Sequence, residues 1–131
     1  MSILKPNNSN LAKSILIVED DEMLLNLLMD AFEMYGLNAY RADNGFDGLD
    51  IFHKNHPDIV LTDIRMPGLN GLKLSRQIRN TSSNTIIALM TGGSADLAEE
   101  LLKDGTVNHL FIKPFPLSLV CKTLSAEVQA A

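Results

Sequence analysis

Polar and charged side chains stand where four apolar segments of this chain end. The segment "ILIV" is followed by Glu19, Asp20 and Asp21, and the segment "IVLT" is followed by Asp63. The segment "ALM" is followed by Thr91, and the segment "FI" by Lys113. Two carboxylates about 4 Å apart repel by roughly 4 kcal/mol at a surface-like dielectric, so carboxylates that share a location need a cation or a retained proton. Oxygen ligands too few for a full protein cage suit Mg²⁺, with Mn²⁺ as a substitute. If the segment ends meet, these residue types predict a divalent-cation site.

Each of these residues also has a simpler interpretation. Asp20 or Asp21 could cap a following helix, and Asp63 could open an Asx-turn. Thr91 with the two glycines after it is typical of a turn, and Lys113 of a solvated charge at a strand end. Complementary groups at four separate segment ends favour a common site over four unrelated features.

A carboxylate is the expected nucleophile of such a site, because none of the four ends carries Cys, Ser or His. Aspartate can attack phosphorus to give an acyl phosphate, and Asp63 is flanked by the other groups. The Thr91 hydroxyl, the Lys113 ammonium and a metal would each hold one oxygen of a phosphoryl group. The proline and glycine that follow allow a sharp turn, so that a carbonyl near Arg65 faces the metal.

The elements that must position these side chains alternate between strand and helix. Short apolar runs predict five buried strands, at 14–18, 37–42, 58–63, 85–90 and 107–112. Apolar residues three and four apart predict a helix after each strand, at about 22–35, 46–52, 69–80, 95–103 and 117–128. The apolar stripe of the first helix is predicted to comprise Leu24, Leu27, Leu28, Ala31, Phe32 and Tyr35.

This alternation indicates an α/β fold, a doubly wound five-stranded parallel sheet with five helices, of the flavodoxin-like type. In such sheets ligands bind at the carboxyl ends of the strands, which is where the residues above lie.

Length and composition limit the class of protein. The chain has 131 residues, which suits one domain, at 13–131, after an N-terminal tail at 1–12. A net charge of −5 argues against direct contact with nucleic acid. Cys121 is the single cysteine, which excludes an internal disulfide and is typical of a buried free thiol. No signal peptide or membrane-spanning run is recognisable, so we expect a cytoplasmic location with no membrane contact.

Four segments, taken in order, resemble one protein family. The segments "ILIVEDD", "DIVLTDIRMPGLNG", "ALMTG" and "FIKPF" are similar in type and spacing to the receiver domain of bacterial two-component response regulators, a CheY-like (βα)5 fold. The resemblance extends over about residues 13–129. It implies a signalling switch rather than a turnover enzyme. Asp63 would accept a phosphoryl group from a sensor histidine kinase or a histidine phosphotransfer protein, and the domain would assist its own phosphorylation and dephosphorylation.

The resemblance also implies which groups bind the metal. Asp21, Asp63 and the main-chain carbonyl of Arg65 would bind Mg²⁺ directly, and Asp20 would act through water.

The resemblance further implies a switch. Thr91 and Lys113 would contact the phosphoryl oxygens, and the Lys113–Pro114 peptide bond would be cis. Rearrangement of the fourth helix, the fifth strand and the fifth helix (the α4-β5-α5 surface of the family) would alter contacts with a downstream effector protein or a missing output domain. The same surface is a candidate for a homodimer.

The sequence departs from the family pattern at three places. Three residues before the lysine, where the family usually has Tyr or Phe, this chain has Leu110, and strand alternation puts Phe111 on the opposite face. Gly105 lies one residue further from the lysine than usual, which predicts a bulged loop. Arg65 and Gly93 occupy positions that influence hydrolysis of the acyl phosphate in the family. Arg65 could pair with the acidic cluster or with phosphate, although a solvated side chain is the simpler interpretation, and Gly93 would leave access for water.

Three other function classes each depend on particular residues of this sequence. A receiver-like interaction module that is never phosphorylated is favoured by Leu110 and opposed by the complete set of site groups. A phosphatase with an aspartyl-phosphate intermediate typically has a second acid where this chain has Arg65. A flavin-binding protein of this architecture needs a Ser/Thr-rich loop after the first strand, where this chain has three acids. No output domain is recognisable after the last helix, so both a stand-alone regulator and part of a longer one are open.

Overall fold

The computed structural model describes residues 13–93 and 95–129 as alternating strands and helices. The five strands are β1 (Ser14–Val18), β2 (Asn38–Ala42), β3 (Ile59–Asp63), β4 (Ile86–Thr91) and β5 (His109–Ile112). The five helices are α1 (Glu22–Met34), α2 (Gly45–Asn55), α3 (Gly71–Thr81), α4 (Asp96–Lys103) and α5 (Leu117–Gln129). The predicted tail at 1–12 lies outside the described residues. No helix in this described part combines the length and apolar character that crossing a membrane requires.

The strands form one sheet in the order β2-β1-β3-β4-β5, and each neighbouring pair is parallel. The chain steps from β1 to β2 in one direction and then crosses to β3 on the other side of β1. The carboxyl ends of β1 and β3 therefore flank the point where the direction of winding reverses, which is where such sheets bind ligands. The predicted doubly wound, flavodoxin-like (βα)5 fold is confirmed.

Helices on both faces of the sheet enclose two apolar cores. The first core contains buried residues of α1 and α5, namely Leu25, Leu28, Phe32, Val120, Cys121 and Leu124. The second contains buried residues of α2, α3 and α4, namely Phe52, Leu74, Ile78, Ala98 and Leu101. Cys121 is a buried free thiol, as expected. The three central strands, β1, β3 and β4, are buried almost throughout, which explains why they were recognisable from short continuous apolar runs, whereas the outer strands β2 and β5 are partly exposed.

The buried face of α1 agrees with most of the predicted stripe, since Leu24, Leu28, Ala31, Phe32 and Tyr35 pack in or against the first core, and differs from it at Leu25 and Leu27. The helix buries Leu25, Leu28 and Phe32, whereas Leu27 is 49% exposed. The segment "MLLNLLM" is apolar on more than one side of a helix, so periodicity alone does not select the side that meets the sheet.

The loop between α4 and β5, where the spacing of Gly105 predicts a bulge, begins directly after the C-cap of α4, Asp104. Gly105 has a φ of +84°, a left-handed conformation that favours glycine. The strand β5 begins two residues later than predicted, because Asn108 pairs with β4 partly through its side chain. Its N–H donates to Ile87 O (2.7 Å), while its Oδ1, not its carbonyl, accepts from Ile87 N (2.8 Å).

Candidate functional site

The ends of β1, β3, β4 and β5, here called the carboxyl edge, bring together most of the predicted residues. Main-chain hydrogen bonds continue past the strand ends, since Glu19 N donates to Ala42 O (3.0 Å) and Lys113 N donates to Thr91 O (2.7 Å). Asp63 is the last residue of β3. The functional side chains therefore start from backbone that the sheet itself holds, which favours a precise site.

Lys113 joins two carboxylates that come from different strand ends. Its Nζ donates to Glu19 Oε1 (3.1 Å) and to Asp63 Oδ2 (3.2 Å). The side chains are 1% exposed for Glu19, 11% for Asp63 and 27% for Lys113. Charges removed from water to this degree need close partners. A single ammonium balances only one of the two negative charges.

Burial and neighbouring charges shift the pKa values of two members of this network, Glu19 and Lys113. Desolvation by burial raises the pKa of Glu19 to about 6, and the charge of Asp63 adds to the effect, although the Asp21 N–H and Lys113 act in the opposite direction. Burial by itself lowers the pKa of Lys113, but its hydrogen bonds and charge pairing with Glu19 and Asp63 outweigh burial and raise that pKa. Lys113 is therefore protonated at neutral pH, and an additional cation would favour the charged form of Glu19.

The carboxylate of Asp20 lies beside those of Glu19 and Asp63, so that the three side chains form a cluster of oxygen ligands. Among the described residues, oxygens of Glu19, Asp20 and Asp63 lie within 4.8 Å of one another. Asp20 also lines an open cavity of about 480 Å³ with Arg65 and other residues of the β3–α3 loop. Hard oxygen ligands, an excess of negative charge and room for water are the conditions that suit Mg²⁺. The residues present therefore fit the predicted metal.

Asp21 has a role in the structure in addition to the one predicted. Its carboxylate Oδ1 accepts hydrogen bonds from Met23 N (3.0 Å) and Leu24 N (3.4 Å). Asp21 is thus the N-cap of α1, which satisfies otherwise unpaired N–H groups of the helix. The Asp21 carboxylate therefore serves the helix terminus, and its direct binding of the metal stays a prediction.

Glu19 is the site residue that sequence reasoning left without a role. It follows β1 directly and still pairs with β2 through its N–H, so its side chain projects from the carboxyl edge. Its Oε2 accepts a hydrogen bond from Asp21 N (3.0 Å). The signal was present in the sequence, because an Asp placed immediately before a helical segment is a common N-cap. Assigning Asp21 to the cap would have moved the acidic pair to Glu19 and Asp20.

Thr91 and the loop after it lie beside Lys113. Thr91 is 3% exposed, and its Oγ1 accepts a hydrogen bond from Gly93 N (3.2 Å). A Cβ built on Gly92 would lie 3.9 Å from Lys113 Cβ and Cδ, which is ordinary contact. The predicted hydroxyl and ammonium therefore approach the carboxyl edge from neighbouring strands.

Arg65 lies against the same loop. Its side chain is exposed, as the simpler interpretation expected, but a Cβ built on Gly93 would lie only 3.1 Å from Arg65 Nη2. The guanidinium therefore occupies space that any larger residue at position 93 would need. The two positions that the resemblance singled out are thus in contact with each other.

The remaining predicted positions lie on β5 and just after it. Leu110 packs with the second core and Phe111 with the first, so the two side chains occupy opposite faces, as strand alternation predicts. Leu110 presents a half-buried aliphatic side chain on the face that α4 covers. The Lys113–Pro114 peptide bond is cis.

The chain is similar to known response regulators in sequence. Residues 15–125 match the family described as response regulator receiver domain. The regulatory protein AtoC of Escherichia coli (strain K12) is 38% identical over 104 residues, which are 79% of this chain and 22% of that protein. Sporulation initiation phosphotransferase F of Bacillus subtilis (strain 168) is 34% identical over 106 residues, 80% of this chain and 85% of that protein. The chain therefore spans less than a quarter of the first relative and most of the second.

The chain is also similar to solved structures. A response regulator receiver domain protein from Clostridium thermocellum, 25% identical in sequence, matches with a TM-score of 0.83. The match covers 90% of this chain and 95% of that one. Both kinds of similarity span the strand ends that form the carboxyl edge.

Proposed function

The chain belongs to the response regulator receiver family, and on that premise we propose that Asp63 is its phosphoacceptor. Receiver domains of two-component response regulators are in general phosphorylatable signalling switches and not classical enzymes. The observation that carries the proposal for this chain is the environment of Asp63. Its Oδ2 accepts a hydrogen bond from Lys113, and oxygens of two further carboxylates, Glu19 and Asp20, lie within 4.8 Å.

The phosphoryl donor is the phosphohistidine of a sensor histidine kinase or of a histidine phosphotransfer protein. A carboxylate oxygen of Asp63 attacks phosphorus, the bond between phosphorus and the imidazole nitrogen breaks, and the nitrogen leaves with the bonding electrons. Lys113 donates a hydrogen bond to one phosphoryl oxygen as the negative charge shifts during the transfer, and the Thr91 hydroxyl donates a hydrogen bond to another phosphoryl oxygen. These residues assist phosphorylation and the later hydrolysis without themselves being consumed.

We assign the metal to Asp20, Asp63 and the main-chain carbonyl of Arg65, with Glu19 beside them. The clustered oxygens and the cavity shared by Asp20 and Arg65 support this assignment. Bound Mg²⁺, or Mn²⁺ in its place, would offset the charge shared by the carboxylates and the incoming phosphoryl group. Asp21 is not included, because it caps α1.

Phosphorylation is proposed to alter the surface formed by α4, β5 and α5. The main-chain hydrogen bond from Lys113 N to Thr91 O joins the ends of β4 and β5 at the site. Each of the three elements carries an exposed apolar side chain, since Leu97 is 62%, Ile112 57% and Leu119 51% exposed. Such side chains suit a partner protein, whether an effector, an output domain or a second copy of the chain. With leucine at position 110, the switch operates without rotation of an aromatic ring there.

Phosphorylation can be tested with acetyl phosphate and Mg²⁺, followed by intact-mass measurement. We expect one phosphoryl adduct on the wild-type protein and none on Asp63→Asn. Two further variants test the metal assignment. Asp20→Asn should lose the adduct, whereas Asp21→Asn should keep it, because asparagine caps helices about as well as aspartate. Loss of the adduct in Asp21→Asn but not in Asp20→Asn would contradict the assignment.

The alternative function is a receiver-like interaction module that is never phosphorylated. Leu110 is the observation that favours it. A folded wild-type protein that takes up no phosphoryl group from acetyl phosphate or from a phosphorylated histidine phosphotransfer protein would establish this alternative.

The contact between Arg65 and Gly93 bears on the lifetime of the acyl phosphate on Asp63. We propose that the guanidinium limits the access of water to Asp63 from the side of the β4–α4 loop. Arg65→Ala should therefore shorten the lifetime of the phosphorylated protein, measured by mass spectrometry after removal of the donor. Equal lifetimes would remove any role for this side chain.

A further inference from the structure

The first turn of α2 presses against the β3–α3 loop, residues 64–70, at two neighbouring points. A Cβ built on Gly45 would lie 2.0 Å from the main-chain oxygen of Leu69, so the two backbones touch. A Cβ built on Gly68 would lie 2.8 Å from Phe46 Cε2 and 3.1 Å from its Cδ2, so the aromatic ring covers Gly68. Both contacts join segments that are distant along the chain.

Phe46 is unusual in being a large aromatic side chain that is 62% exposed. Its helix buries a different aromatic, Phe52, in the second core, so Phe46 is not needed to fill that core. What its ring does contact is a glycine with a φ of +78°, a backbone conformation that other residues rarely adopt. The exposed ring therefore holds a particular turn of the loop.

The loop is held from the inside as well. Met66 and Leu69 are 9% and 6% exposed and pack in the second core, and Gly71 N donates to Ile64 O (2.9 Å) where the loop closes. These anchors lie before and after Gly68, so Phe46 contacts the part of the loop between them. Arg65, whose carbonyl we assign to the metal, lies at the start of this same short loop.

We infer that Phe46 is a positioning residue for the metal site: its ring holds the turn at Gly68 and so keeps the loop, with the Arg65 carbonyl, in place for the cation. This inference rests on the proposed function, because the metal site is part of it. Phe46 touches neither the metal nor the phosphoryl group. It acts through the loop, as outer residues commonly orient the ligands of a metal.

The inference predicts an effect on metal affinity in the absence of any phosphoryl donor. Phe46→Ala should weaken Mg²⁺ binding roughly tenfold, the lower end of what loss of an outer supporting residue does. Phe46→Tyr keeps the ring and should bind Mg²⁺ like the wild type. Met34→Ala is the matched control, because it removes an even more exposed apolar side chain (87%) from a different helix, and it should leave the affinity unchanged. Isothermal titration calorimetry on the full chain, freed of metal with a chelator, measures all four proteins.

A second measurement on the metal-free proteins separates positioning from the metal site itself. Amide hydrogen exchange of Arg65, Met66, Gly68 and Leu69 (Pro67 has no amide hydrogen) should be faster in Phe46→Ala than in the wild type, and unchanged in Phe46→Tyr. Wild-type Mg²⁺ affinity retained in Phe46→Ala, unchanged exchange of the loop, or an equal loss in Met34→Ala would overturn the inference. Failure of the proposed metal site looks different, because then the wild-type protein would bind no Mg²⁺ while the exchange of residues 65–69 still responded to Phe46→Ala.

Discussion

Cationic side chains make long-range contacts at both edges of the sheet, and the two networks differ in what surrounds them. At the ends where the strands begin, here called the amino edge, Arg76 and Arg79 of α3 hold the loop between α4 and β5. Arg79 donates to Thr106 O, to Ser82 O and to Asn108 Oδ1, each at 3.0 Å. Arg76 donates to Asp104 Oδ2 at 3.3 Å, and both of those side chains are about half exposed.

At the carboxyl edge the balance is reversed. One ammonium, that of Lys113, faces Glu19 and Asp63, and Asp20 adds a third carboxylate within 4.8 Å. Burial raises the pKa of Glu19 to about 6. At the amino edge, by contrast, the hydroxyl and N–H of Thr106 lower the pKa of Asp104.

The comparison shows how a stabilising contact can be told from a binding site. At the amino edge the guanidinium of Arg79 donates to neutral oxygens and that of Arg76 to an exposed carboxylate, so this network leaves no buried carboxylate without a cation. The carboxyl edge has two buried carboxylates, those of Glu19 and Asp63, and retains excess negative charge, which only a cation or a proton can offset. Variants at both edges therefore test this distinction.

Removing the ammonium should have the largest effect. Lys113→Met keeps most of the aliphatic stem but leaves Glu19 and Asp63 facing each other, and breaking a buried pair on one side typically costs 3–5 kcal/mol. Because Lys113 is 27% exposed, we expect a loss of about 2–3 kcal/mol in the free energy of unfolding at pH 7.5 without metal. Urea denaturation measures it.

The matched variant at the amino edge is Arg76→Met. Its ion pair with Asp104 is solvent-exposed, so the loss should stay below about 1 kcal/mol. Equal losses in the two variants would mean that the edges do not differ as we argue.

The pH dependence of stability should single out Glu19. Its folded-state pKa is raised from 4.5 to about 6, so its contribution to stability is complete below pH 4.5 and is lost as the pH rises through 6. The difference corresponds to about 2 kcal/mol. Glu19→Gln is neutral at every pH and should be more stable than the wild type at pH 7.5 but not at pH 4. A stability difference that does not change between pH 4 and 7.5 would contradict the assignment of this titration to Glu19.

Mg²⁺ should stabilise the carboxyl edge alone. A ligand at ten times its dissociation constant adds about 1.4 kcal/mol to the free energy of unfolding. Asp20→Asn should lose this gain, whereas Asp21→Asn and Arg76→Met should retain it. Thermal unfolding with and without Mg²⁺ measures the gain, and a gain that survives in Asp20→Asn would show that the cation binds elsewhere.

The sequence predicted the fold well because its three central strands, β1, β3 and β4, are buried on both faces and its turns contain glycine. The same regularity placed Asp63, Thr91 and Lys113 at one edge, since residues at the ends of parallel strands must meet. The N-cap role of Asp21 was not singled out, because a shift of one residue decides whether a carboxylate caps a helix or projects from a strand, and element boundaries are the least certain part of a sequence pattern.

Contacts between distant segments could not be predicted. The packing of Phe46 on Gly68 and of Arg65 on Gly93 depends on the path of two loops, which periodicity does not describe. The same holds for Arg79 of α3, whose guanidinium reaches the α4–β5 loop. Burial lowers the pKa of its guanidinium, yet the group keeps three acceptors.

Arg79→Lys tests whether the amino edge depends on hydrogen-bond geometry rather than on charge. Lysine keeps the charge but cannot reach three acceptors in a fixed fork. We expect a loss of about 1 kcal/mol in the free energy of unfolding, with little dependence on salt, because the acceptors are neutral. A loss that disappears at high salt would instead indicate an electrostatic contact like the one at the carboxyl edge.

Ser75 provides the smallest effect and the sharpest contrast with the buried polar groups of the carboxyl edge. Among the described residues, its hydroxyl is buried in α3 without a hydrogen-bond partner. Ser75→Ala removes that unsatisfied group and improves helix propensity, so it should raise the free energy of unfolding by about 0.5–1 kcal/mol. It should leave both the Mg²⁺-dependent gain and the pH dependence unchanged. If Ser75→Ala destabilised the protein, the hydroxyl would have a hydrogen-bond partner such as a bound water. Buried polar groups without sufficient partners would then be a property of the carboxyl edge and not of α3.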